Sequence, residues 1–69
     1  MKISARNSIK GTIKDVVRGP VSAEVVLRVA AGIDIVAVIS TRSAKALKLK
    51  KGKKAYAVIK ASSVMVGID

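Results

Sequence analysis

Lys60-Ala61-Ser62-Ser63 sits where one apolar run, Ala55-Tyr56-Ala57-Val58-Ile59, stops and another, Val64-Met65-Val66, begins. The junction has no Gly, Pro, Asn or Asp, so it is not an ordinary tight hairpin turn. It offers one ammonium, two hydroxyls and backbone N–H groups where regular pairing breaks, which is what an oxyanion needs. Ser4-Ala5-Arg6-Asn7 offers a comparable set: a hydroxyl, a guanidinium, an amide and several N–H groups. Ser40, at the end of a third apolar run and beside Thr41, adds a further hydroxyl. A tetrahedral dianion calls for many neutral and cationic donors and no carboxylate nearby. None of these segments contains Asp or Glu. Taken singly, each residue also has an ordinary reading: Arg6 and Lys60 as solvated charges, Ser40 as a strand end or helix cap, Ser62 and Ser63 as turn hydroxyls.

Other chemistry is poorly supplied. The chain has no His and no Cys, so the commonest general base, the thiol nucleophile and Cys/His metal sites are absent. The carboxylates Asp15, Glu24, Asp34 and Asp69 lie far apart in sequence. Lys51-Gly52-Lys53 is a turn without Walker-type spacing. The net charge of +10 favours anionic partners in general. A basic nucleic-acid-binding protein is therefore the alternative to a small-oxyanion binder. Small barrels that grip single strands stack bases on aromatic side chains, and the one aromatic here, Tyr56, falls in a mostly apolar strand where a core position is expected.

The elements that must position these donors follow from the alternation of apolar and polar residues. Ser8 to Val17 reads as a half-buried strand, with Gly11 marking a bulge, a bend or a close backbone approach. Arg18-Gly19-Pro20 is a turn, and Val21 to Val29 a second strand. After Ala30-Ala31-Gly32, Ile33 to Ile39 reads as a third strand, apolar on both faces and so needing cover on both. Ala44 to Lys48 are good helix formers, and Thr41 or Ser43 can cap a short helix that the Lys/Gly turn ends. Lys54–Ile59 and Val64–Ile68 read as strands four and five. The expectation is an all-β, five-stranded OB-like barrel with one short helix between strands 3 and 4, forming a single domain over residues 1–69.

A chain of 69 residues, 51% of them apolar but with no Phe or Trp, closes a core poorly on its own. Without disulfides or a structural metal, oligomerisation is the remaining support, and the doubly apolar third strand predicts contact with another copy. No stretch reads as a membrane span or signal peptide, so no membrane role and a cytoplasmic setting are expected.

Ser4-Ala5-Arg6-Asn7, Gly11, Ser22-Ala23-Glu24-Val25 and Tyr56-Ala57-Val58-Ile59-Lys60-Ala61-Ser62-Ser63-Val64 together resemble the molybdate/tungstate-binding Mop domain, whose short, free-standing members are the molbindins. The likeness covers nearly the whole chain and keeps the spacing between segments. It implies a strand-exchanged, OB-like hexamer, a trimer of dimers, with no enzymatic activity. It also implies that molybdate or tungstate is held at subunit interfaces for intracellular storage and homeostasis, with no direct bond from protein to metal. By position, Ser4, Ala5 and Arg6 supply one wall of the principal site, Arg6 through its backbone N–H. Lys60, Ala61 and Ser62 supply the other, and Ser40 falls where the family places a hydroxyl. A second kind of site draws on Val21 and Ser22, although Pro20 departs from the pattern by removing a backbone donor there.

Overall fold

The computed structural model describes residues 2–69. Four antiparallel strands, β1 (Asn7–Arg18), β2 (Ser22–Ala30), β3 (Ile33–Ser40) and β4 (Lys54–Ile59), form one sheet in the order β3-β2-β1-β4. A short helix, α1 (Thr41–Ala46), separates β3 from β4.

The sheet curls, and two bulges drive it. The β1–β2 register slips between Ile13 and Asp15, leaving Lys14 as the extra residue. The β2–β3 register slips between Arg28 and Ala30 at Val29. Bulges bend a strand and raise its twist, and these two lie on neighbouring strands close to the same level of the sheet. Gly11 permits the tight curvature. A Cβ there would stand 2.8 Å from the Arg28 carbonyl oxygen and 3.0 Å from Val29 Cγ1.

The concave face carries the core: Ile13, Ala23, Val25 and Leu27 from the strands, joined by Ala44 of α1 and Leu49 after it. Ile13 is 1% exposed, and burying such a side chain is worth roughly 1.5–3 kcal/mol. Ala44, fully buried, has no bulk to hold the helix away from the strands.

Of the three candidate caps, Ser40, Thr41 and Ser43, it is Ser40 that caps α1. Its Oγ accepts from the Ser43 backbone N–H at 3.0 Å, and its backbone is still extended, the geometry of an N-cap. Thr41 instead turns inward. The helix ends at Ala46, and Lys48 takes a left-handed φ of 54° as the Leu49 N–H returns to the Ala44 carbonyl. Lys53 Nζ donates to the carbonyls of Leu47 and Lys48 at 2.7 and 3.3 Å, satisfying acceptors that a helix end leaves open.

Two expectations are corrected. Val64–Ile68 forms no strand in this chain; after the 3-10 turn Ala61–Ser63 it runs outside the sheet, with Met65, Val66 and Ile68 all more than nine-tenths exposed. The sheet is therefore four-stranded, with β3 and β4 as its edges and an apolar trough between them lined by residues including Val25, Leu27, Ile39 and Leu49. A segment this apolar gains from pairing only if an edge and an apolar face are within its reach. Tyr56, expected in the core, is half exposed, because it lies on the opposite face of β4 from buried Ala57. The third strand's second apolar face is uncovered as well, with Val36 and Val38 exposed.

Candidate functional site

The β1–β4 ladder begins with Asn7 opposite Ile59. Asn7 Nδ2 donates to the Ile59 carbonyl at 3.3 Å, adding a side-chain clasp to that end of the ladder. The pairing brings the residues just before β1 and just after β4 side by side, although more than fifty positions separate them in sequence. Between them lies an open cleft of about 570 Å³ lined by Ser4, Ala5, Arg6, Val58, Lys60, Ala61 and Ser62.

Every residue expected for the two walls of the principal site is in that lining, and no carboxylate is. Two cations and two hydroxyls face one space. On the Lys60 side the backbone turns at once into the 3-10 turn, in which the Ser63 N–H returns to the Lys60 carbonyl at 2.8 Å. The first N–H groups of such a turn have no acceptor inside it, so Ala61 and Ser62 add neutral donors. Val58 is the lining residue that sequence reading passed over. Its position two before Lys60 in an alternating strand was the available signal, since residues i and i+2 share a face.

Ser40 is not in this cleft. It sits at the far end of the sheet, opposite Ser22 in the β2–β3 ladder, and its hydroxyl is engaged with Ser43, donating to Ser43 Oγ at 2.8 Å. The same neighbourhood holds the Gly19–Val21 turn. The Gly19 N–H reaches the Ser22 carbonyl, and the Thr41 N–H the Val21 carbonyl, both at 2.8 Å. Val21 is 78% exposed. Within one chain, Ser40, Val21 and Ser22 thus form a second cluster. The twelve-residue β1 lies between its two ends, one at this turn and the other at the cleft.

Among the described residues no cluster of acidic, His or Cys side chains could ligate a metal ion directly, and no helix is long and apolar enough to cross a membrane.

The chain is similar to known proteins over nearly its whole length. Residues 3–66 match the TOBE domain. A probable molybdenum-pterin-binding protein of Haemophilus influenzae is 45% identical over 69 residues, the full length of both chains. The solved structure of MopII from Clostridium pasteurianum is 42% identical and superposes with a TM-score of 0.91 over 97% of this chain and 100% of that one. A molybdate-bound structure of ModG, described as a cytoplasmic molybdate-binding protein, is 40% identical with a TM-score of 0.93. This chain, covered in full, spans 49% of the ModG chain. The chain belongs to the TOBE-domain family, within its molybdenum-pterin-binding (Mop) group, the molbindins.

Proposed function

We propose that the chain, as one domain over residues 1–69, binds molybdate or tungstate without enzymatic activity, for storage and homeostasis in the cytoplasm. The observation that carries this reading is the cleft itself. Two donor sets that are distant in sequence, Ser4–Arg6 and Lys60–Ser62, line one space free of carboxylates. Backbone N–H groups, the Ser4 and Ser62 hydroxyls and the Lys60 ammonium wrap the anion, and Arg6 contributes its backbone N–H. The metal centre takes no bond from the protein, so binding reads the shape and charge of the oxyanion.

The relatives' names support this cargo over nucleic acid, since they are molybdenum-pterin-binding and molybdate-binding proteins. A small oxyanion also suits the lining better than a stacked ring does, because none of the cleft residues is aromatic.

The cleft of a single chain is open, and its lining is exposed except at Ala5, which is half-buried. In this reading a second copy completes it, with Ser40 arriving from a neighbouring subunit. The exposed Val64–Ile68 segment adds the fifth strand to a partner, closing an OB-like barrel across the apolar trough between β3 and β4. The assembly is a hexamer, a trimer of dimers, and Val21 and Ser22 contribute a second type of site at further contacts. Titration calorimetry with molybdate, tungstate, sulfate and phosphate tests the proposal. Saturable heat with the first two is expected, and a folded protein silent to both would end it.

A further inference from the structure

The outer face of the sheet carries a second concentration of cations, farther along the β1–β4 ladder from the cleft. Arg28 and Lys54 stand on the strands either side of β1, and both pair in register with Thr12. Direct cross-strand partners share a face, as do residues two apart on one strand, so Arg28, Thr12, Lys54 and Lys10 project together. They line a concavity of about 330 Å³ with Gly11 and Val29.

Two of these cations are held in place. Lys54 Nζ lies over the sheet and donates to Thr12 Oγ1 at 2.6 Å. Arg28 is gripped from behind by Asp34, Nε to Oδ1 at 2.6 Å and Nη2 to Oδ2 at 3.2 Å. That carboxylate also accepts from Lys14 at 3.2 Å. The single carboxylate beside this patch is thus already shared by Arg28 and Lys14, and neither Lys10 nor Lys54 pairs with it. Like charges on adjacent positions of a sheet are unfavourable, and nothing in the core requires them there.

We propose that Lys10, Arg28 and Lys54, with the Thr12 hydroxyl between them, bind a soluble ligand carrying a diphosphate group. Strands lie about 4.8 Å apart, so Arg28 and Lys54 flank Thr12 two strand spacings from each other. One phosphoryl group meets the free edge of the Arg28 guanidinium, which matches phosphate oxygens with two parallel N–H donors. The other meets Lys54 and Lys10. The Thr12 hydroxyl accepts from Lys54 and keeps its own proton to donate to the ligand. Charged side chains on an open surface select for ligand charge, whereas the cleft's mixture of N–H groups and hydroxyls selects for a compact oxyanion. The two sites share no residue.

Titration calorimetry of the full-length protein at low salt, with inorganic pyrophosphate and separately with ADP, tests the inference and separates free from esterified diphosphate. Each titration is run with and without molybdate. Binding of at least one diphosphate is expected, unchanged by molybdate and weakened at least about tenfold in K10Q/K54Q, the equivalent of one charge-assisted hydrogen bond. T12V, which keeps the β-branched shape, should weaken it as well. Absence of binding to both probes, displacement by molybdate, or wild-type affinity in K10Q/K54Q would each overturn the proposal. So would a short single-stranded oligonucleotide that binds more tightly than either diphosphate and depends on the same lysines, since the patch would then belong to a nucleic acid.

Discussion

The Thr41 hydroxyl donates to the Gly19 carbonyl at 2.7 Å, and the same residue's N–H reaches the Val21 carbonyl at 2.8 Å. One residue at the start of α1 thereby ties the helix to the β1–β2 turn through both its side chain and its backbone. Thr41 is among the least exposed polar residues, at 9%. Replacing it by Val leaves the Gly19 carbonyl without its donor, at an expected cost of about 1–3 kcal/mol. Urea unfolding measures this, and Thr41→Ser, which keeps the hydroxyl, should retain most of the stability.

Gly11 is a position where a single methyl group has nowhere to go. Both close neighbours of the added Cβ, the Arg28 carbonyl oxygen and Val29 Cγ1, belong to β2, and the first is rigid backbone. Gly11→Ala should destabilise the fold by about 1–3 kcal/mol through overpacking. A thermal melt unchanged from the parent would mean that the curl is less tight than the structure has it.

Lys60→Gln separates binding from folding. The residue is exposed, so unfolding free energy should move by no more than about 0.5 kcal/mol. Molybdate affinity should fall about 10- to 100-fold, the loss of one charge-assisted contact. Equal affinity in the variant, measured by calorimetry, would remove Lys60 from the wall assigned to it.

Asp34 provides a titration marker for the outer face. Its hydrogen bond from Arg28, helped by Lys14, lowers the carboxyl pKa to about 2 from an ordinary 3.8. The folded carboxyl holds its proton less tightly than the unfolded one. Its pairing therefore adds stability above the ordinary range, and that contribution is lost as the pH falls toward 2. Carbon-detected NMR should give an Asp34 midpoint near the lowered value, and Arg28→Gln should move it upward.

Deleting residues 64–69 tests the reading of the tail. If the segment pairs with another copy, the shortened chain should scatter light as a smaller species than the full chain. An unchanged size would show that assembly does not use it.

Much of this was legible in the residues. Alternation located β1 and β2, and apolar runs bounded by turn residues located β3 and β4, to within a residue or two at each end; the buried face of the first two strands is what makes their pattern regular. Carboxylate-free donor sets at Ser4–Asn7 and Lys60–Ser63 pointed to an oxyanion site, and the family likeness to a subunit interface; the ladder starting at Asn7–Ile59 instead brings Ser4–Arg6 and Lys60–Ser62 together within one chain. Where one chain departs from these expectations, each case has its own cause. Val64–Ile68 has the apolar composition of a strand, but composition does not say whether a partner edge exists in the same chain. Ser40 carried a hydroxyl suited both to a ligand and to a helix cap, and in this chain the nearby Ser43 N–H takes it. Tyr56 looked like core because its neighbours do, yet its strand parity sends it outward.

The run from Lys48 to Lys54 looks like undivided positive charge, but Lys53 is committed to the carbonyls of Leu47 and Lys48, and Arg18 Nη2 is likewise turned onto the Leu49 carbonyl. These two cations work as fasteners at short range, whereas Lys50 and Lys51, exposed at the turn, act at a distance through water. Salt screens the second kind far more than the first. Rising ionic strength should therefore slow the arrival of anions well before it loosens the fold.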